Sequence, residues 1–227
     1  PPLKLLELHA EAGDHRATAE SLKVLVTLET DEARQLSFAY ARASLLHREL
    51  EENEEAATAY GAVLDLDPEH IEALKSVLEL HTVNEDWVAL ETCYLQMLDR
   101  LDGKGRRDLE HILLRGLGEL YELHTERPTD AMVVYRQALQ RKSDDVELRT
   151  ALAELLEAAE EWSESIAEYR KLVQLNPDNP AFYRKLARHS HNIGAKDDAW
   201  FSVSVLAALG QATGKELDWL KGARPAL

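Results

Sequence analysis

The side chains in this sequence that could do chemistry are nine histidines, one cysteine and a dense scatter of carboxylates. Histidines could ligate a metal or move protons, but their spacing argues against both. No His-Glu-x-x-His or paired-cysteine motif occurs, and His189 and His191, two apart on a helix, face different ways. Cys93 lies beside Tyr94 with nothing in view to favour its thiolate, so it reads as a buried, inert thiol. The carboxylates fall in runs such as Glu49-Leu50-Glu51-Glu52-Asn53-Glu54-Glu55, the pattern of a solvated face, and no pair stands apart for acid–base work. Leu101-Asp102-Gly103-Lys104-Gly105-Arg106-Arg107 has the glycines of a phosphate cradle. It lacks both a preceding strand and the Gly-Lys-Ser/Thr order, and reads as a surface turn. No Ser-His-Asp spacing or dinucleotide fingerprint emerges. These residues therefore predict no catalytic, metal or cofactor site, and a chain that is not an enzyme.

The elements that position these side chains come from a chain of 227 residues, 45% of them hydrophobic, enough for a sizeable core. Forty-two acidic residues against 26 basic give a net charge of −16, which speaks against nucleic-acid binding and against adhesion to an anionic membrane. No apolar run reaches the roughly 18 residues of a membrane span, so no membrane insertion is expected. A single cysteine rules out an internal disulfide and fits a reducing compartment, and with no signal peptide in view the expected location is cytoplasmic. The opening Pro1-Pro2, without methionine, predicts a fragment of a longer product.

A repeat organises the chain. Tyr60, Tyr94, Tyr135 and Tyr169 are separated by 34, 41 and 34 residues, and Val203 follows 34 further on. His47 and His81 are again 34 apart, while Trp87 and Trp162 differ by 75, one period plus the longer one. Different residue types share both the period and its seven-residue insertion at 101–107. Within each unit the apolar residues recur at helical spacing, as in Leu148, Leu152, Leu155 and Leu156, then Trp162, Ile166, Tyr169, Leu172 and Val173. Pro68 and Pro177 each follow their tyrosine by eight residues and stop the second helix. Gly118, Ala153 and Ala187 are small enough for facing helices to approach closely.

Leu114-x2-Leu117-Gly118-x2-Tyr121, then Ala131-x3-Tyr135, together with Ala56-x3-Tyr60 and Ser165-x3-Tyr169, resemble the tetratricopeptide repeat, with Leu114 in place of its tryptophan and Tyr135 in place of its phenylalanine. The resemblance covers nearly the whole chain. It implies an all-α fold, a right-handed α-solenoid of about six antiparallel helix pairs in one domain over 1–227. The repeats are 1–30, 37–70, 71–104, 111–145, 146–179 and 180–213, with a C-terminal capping helix at 215–222. In the first, degenerate unit Gly13-Asp14 marks the inter-helix turn. Asp86-Trp87-Val88-Ala89-Leu90-Glu91 through Leu98, and Asp198-Ala199-Trp200 through Gly210 with Trp219 and Arg224-Pro225, are similar to multi-repeat tetratricopeptide proteins of deltaproteobacteria. His9, His47 and His81 take the family's tyrosine position, inside the helix packing. Equivalent sites in neighbouring units stand about 10 Å apart, too far to share one ion.

The resemblance also implies a working surface, because first helices line the concave face of such arrays. The implied positions are Ile112, Arg115, Gly116, Glu119, Glu122 and Leu123, then Glu147, Thr150, Ala151, Glu154, Glu157 and Ala158, then Ala181, Arg184, Lys185, Arg188, His191 and Asn192. The middle set is acidic and the last is basic. Two readings stand. In one, Glu154 pairs with Arg188, and Glu147 or Glu157 with other bases, across the seam between repeats. In the other, Arg184, Lys185 and Arg188 capture a partner's carboxylates. The clamp that some members use for chaperone C-termini is missing, since its sites read Ala41, Leu45, Lys75, Glu79, Arg115 and Glu119 with no asparagine. The expected function is a protein–protein interaction scaffold that takes a peptide or helix in its groove. The alternative is a regulatory or tethering module of a larger protein.

Overall fold

A computed structural model describes residues 2–222, in which all regular structure is helical. The Arg224-Pro225 part of the sequence likeness lies outside the described residues. By its packing the chain divides into two compact units, Pro1–Gly105 and Arg106–Leu227. The first holds α1 (Pro2–Glu11), α2 (His15–Leu28), α3 (Glu32–Arg48), α4 (Asn53–Leu66), α5 (Ile71–Val83) and α6 (Trp87–Leu101). The second holds α7 (Arg107–Leu123), α8 (Pro128–Arg141), α9 (Val146–Ala158), α10 (Trp162–Leu175), α11 (Pro180–Asn192), α12 (Lys196–Ala208) and α13 (Gly214–Gly222). Within each unit, consecutive helices pack on one another. No described helix is long and apolar enough to cross a membrane.

Local chemistry sets the helix ends. Asp14, Asp31, Asp86 and Asp145 each accept the backbone amide three residues on, at 2.9–3.0 Å, and Asn179 accepts that of Ala181. Asp31 starts α3 at Glu32, five residues ahead of the repeat boundary at 37. α7 likewise starts at Arg107, ahead of 111. Pro128 and Pro180 open α8 and α11, where a missing amide costs nothing. The turn inside each pair carries one left-handed residue: Gly13, Glu51, Glu85, Glu126, Glu160 and Gly194, all with φ between 51° and 75°. At Glu160 the motif is a full Schellman turn, with Glu161 N–H on Leu156 O at 2.9 Å and Glu160 N–H on Glu157 O at 3.0 Å. Glutamate is thus held four times in a conformation that costs a side-chain-bearing residue and suits glycine.

The tyrosines at the period form the core. Tyr60, Tyr135 and Tyr169 are at most 1% exposed, and Tyr94 is half-buried. A Cβ added at Gly118 would stand 2.2 Å from Tyr135 Cε1, so only glycine admits that ring. In the seam from α9 to α11, Ala153, Ile166, Tyr169, Leu172, Phe182 and Leu186 make one apolar cluster with Val146 and Val173 against it. This continuity is what lets one helix pair stabilise the next.

The third pair departs from this scheme. Where other pairs place Ser44, Gly118, Ala153 or Ala187 on the first helix, it has Leu78; where they place Ala56, Ala131, Ser165 or Ala199 on the second, it has Leu90. Two leucines at close-approach positions hold α5 and α6 apart, and their packing is the sparsest of the six pairs. A cleft of about 950 Å³ opens between α4 and α6, with Ala57, Gly61, Val77 and Ala89 among its walls.

Candidate functional site

The first-helix positions of the second unit form a band of charge. Arg115, projecting from α7, is held by Glu119 (3.0 Å), Glu147 (3.0 Å) and Asp145 (3.6 Å). Beside it His111, 7% exposed, contacts Ala138 O through Nδ1 and Asp145 Oδ2 through Nε2, both at 3.0 Å. Burial works against the Asp145 carboxylate. The Leu148 amide, His111 and Arg115 nonetheless hold its pKa below the usual aspartate value. Glu122 accepts the Tyr135 hydroxyl at 2.7 Å, and burial with that carboxylate drives the phenol pKa far up.

Glu157, near the end of α9, is the hub of the next seam. It takes Lys185 Nζ at 2.7 Å and the Arg188 guanidinium, while His189 Nε2, which makes no hydrogen bond among the described residues, lies 3.4 Å away. Arg188 therefore pairs with Glu157, and the expected Glu154–Arg188 pair does not form. The two glutamates are three residues, just under one helical turn, apart, and it is the later one that meets Arg188. Glu154 is exposed. Because Glu157 turns to these bases, the Tyr169 hydroxyl has no partner among the described residues, and burial followed by the Glu154 charge pushes its pKa to about 12. Arg184 reaches Glu216 at 3.3 Å and the Gln211 carbonyl.

Ser165, His189 and Glu157 mimic a hydrolytic triad in order alone. Ser165 Oγ lies 3.1 Å from His189 Nδ1, but both residues are fully buried, and the serine hydroxyl donates to Ala153 O at 3.1 Å. No substrate can reach that oxygen, and its proton is already engaged. Burial first, then the Arg188 and Lys185 charges, lowers the His189 pKa to about 4. The ring packs between Trp162 and Tyr169, with centroids 5.2 and 5.5 Å away.

Three further histidines sit within or beside the helix packing. His9 Nδ1 meets Ser21 Oγ at 2.9 Å, His47 stands edge-on to Tyr60, and half-buried His81 borders the α4–α6 cleft. Among the described residues no three His, Cys, Asp or Glu side chains converge to hold a metal. Cys93 is half-buried, and burial raises its thiol pKa to about 11.

His191 and Asn192 are exposed at the end of α11. There His191 stands edge-on to Trp219 of α13, with centroids 6.5 Å apart. Ala187, Val203 and Trp219 floor a groove of about 300 Å³, rimmed by Arg188, His191, Lys215 and Glu216. α13 is fastened there by a capping box, in which Glu216 accepts the Thr213 amide at 2.6 Å and Thr213 Oγ accepts the Glu216 amide at 3.3 Å. Sequence reasoning named the rim residues Arg188 and His191 but missed the groove. The alternation of Leu217, Trp219 and Leu220 with charges was its available signal.

Two family models described as tetratricopeptide repeat match the chain, over residues 39–70 and 122–189. Among solved structures, that of YrrB, described as a TPR protein with an unusual peptide-binding site, has a TM-score of 0.51 at 18% identity, covering 89% of this chain and 99% of that one. One MamA structure has 0.50 at 15% identity (85% and 97% covered), and another 0.53 at 13% (83% and 98%). At such identities the likeness is one of fold. A search of curated proteins finds none that matches.

Proposed function

Taking as premise that this chain is a tetratricopeptide-repeat protein, and so an all-α scaffold for protein interaction, we propose that it holds a peptide or helical segment along the first helices of its second unit, α7, α9 and α11. The observation that carries this reading is the α11–α13 groove. There an apolar floor, Ala187, Val203 and Trp219, meets a basic rim, Arg188, His191 and Lys215. A partner's apolar side chain fills the floor while a neighbouring carboxylate meets the rim. Lys185 and Arg188 are prepaid by Glu157, so a ligand carboxylate exchanges one charge partner for another rather than meeting bare cations. Further along, Glu119, Glu122 and Glu154 offer acceptors to a basic part of the same segment, with Arg184 and Asn192 completing the band.

The test compares Trp219→Ala and Arg188→Glu with the unaltered chain in pull-downs from its source lysate, circular dichroism confirming the fold. Loss of the same captured partner in both variants supports the reading. Undiminished capture by both moves the site elsewhere.

A further inference from the structure

A different part of the second unit carries a feature that the repeat does not need. Arg149 of α9 is 4% exposed. Its guanidinium pairs with Glu168 of α10 and donates to the Ser143 carbonyl, while its Nε–H has no acceptor among the described residues. Counted by the repeat, the positions equivalent to Arg149 hold Tyr40, Leu74, Leu114 and Tyr183. Those equivalent to Glu168 hold Ala59, Cys93, Val134 and Ser202. Every other seam is closed by apolar or small side chains here. An ion pair at such a depth loses its hydration, and apolar replacements commonly serve stability as well or better. The fifth repeat therefore keeps a costly pair with a donor unmade, the kind of local inconsistency that marks sites.

The pair lies at the floor of a cleft of about 580 Å³ between α8 and α10. Three cations line it, Arg136, Arg149 and Lys171, around the single lining carboxylate Glu168, in a chain whose net charge is −16. Lys171 Nζ sits 2.9 Å from Glu168, and Arg136 is paired at the rim with Glu164. Leu139 and Leu175 stand beside them as apolar wall, and Gln174 offers an amide able to bond a peptide backbone.

We propose that this cleft is a second docking site, for an acidic peptide segment in which a carboxylate next to a leucine-like residue meets Arg149 and Lys171. Charge selects the ligand, since the lining is cationic while the chain as a whole repels acids. The buried guanidinium supplies direction, because its fork is fixed by Glu168 and Ser143 before the ligand arrives. This site is independent of the α11–α13 groove.

The experiment uses the full chain and a fluorescein-labelled Gly-Leu-Glu-Leu-Glu-Leu peptide amide, read by fluorescence anisotropy at low ionic strength. The key variant, Arg149→Leu with Glu168→Val, installs the residues that the fourth repeat carries. It should fold with an unchanged or higher melting temperature and bind the peptide about tenfold or more weakly. Arg136→Gln with Lys171→Gln tests the rim without touching the floor, and should weaken binding several-fold. The Gln-for-Glu peptide should not bind. Because the α11–α13 groove offers the same peptide an apolar floor and a basic rim, each variant is also read in a Trp219→Ala background, where the loss on Arg149→Leu, Glu168→Val should persist. Equal binding of both peptides, no binding by the unaltered chain, or full binding by both double variants would each overturn the proposal. A salt-sensitive dimer lost in the Arg149→Leu, Glu168→Val variant would instead assign the cleft to a second copy's acidic run, and would overturn it too.

Discussion

Gly118→Ala is the sharpest test of how the fourth helix pair is packed. On an isolated helix this change stabilises by about 1 kcal/mol. Here the new methyl would stand 2.2 and 2.4 Å from Tyr135 Cε1 and Cδ1, over an ångström inside normal contact. The ring is 1% exposed and its hydroxyl is tied to Glu122 at 2.7 Å, so it cannot slide without breaking that bond or pushing α8 away. Overpacking of this size costs about 3 kcal/mol, and the stretched hydrogen bond adds roughly 1. Less the helix gain, the net loss is about 3 kcal/mol, a fall of roughly 6–12 °C in the melting temperature of the chain. Thermal and urea unfolding followed by circular dichroism would measure it. Ala153→Gly, at the equivalent place opposite Tyr169, should also destabilise, by about 1 kcal/mol, because there the methyl already fits. If Gly118→Ala raises the melting temperature, the reasoning that the ring occupies the missing side chain's place is refuted.

Other outcomes follow from features already described. Glu160→Gly should stabilise by up to about 1 kcal/mol and Gly194→Ala should cost about as much, both being left-handed turn residues; equal effects of one sign in denaturant titrations would contradict this. His189 titrates near 4 when folded, against 6.5 for the free group. The unfolded chain thus takes up its proton first, and stability present above pH 6.5 is lost as pH falls toward 4, by about 3 kcal/mol. Urea midpoints of the unaltered chain and His189→Gln should converge or cross over that window; parallel curves would count against the buried neutral ring. Asp145→Ala should cost about 1–2 kcal/mol at neutral pH. Because the folded pKa of Asp145 is depressed, that cost should fade as the pH drops through it. Cys93, with its thiol pKa near 11, should react with a disulfide reagent far more slowly in the folded chain than in urea.

The period made the architecture legible, because a position that must fill the same gap in every pair draws the same residue types. Tyr60, Tyr135 and Tyr169 announced their burial in this way, and the small residues opposite them announced the close approach. Partner choice between charged side chains was not legible. Glu154 and Glu157 differ by less than a turn, and only the rotation of α9 against α11 gives Arg188 to the second. Nor did composition show that four glutamates sit at left-handed turns, since nothing about the residue type favours it. Their position alone could have, because Glu160 and Glu126 stand one and two periods before Gly194. The α11–α13 groove escaped because it depends on how α13 folds back, which its own short sequence does not dictate.

The loosely seated third pair has a consequence for how the array comes apart. In a stack where each module leans only on its neighbours, partial opening starts at the poorest junction rather than spreading evenly. Leu78 and Leu90 make α5–α6 the weakest junction inside a helix pair, and so a place where opening within a pair starts. Amide hydrogens of α6 should therefore exchange ahead of those in α3 and α4, and local opening there should expose Cys93 to a thiol reagent without unfolding of the whole chain.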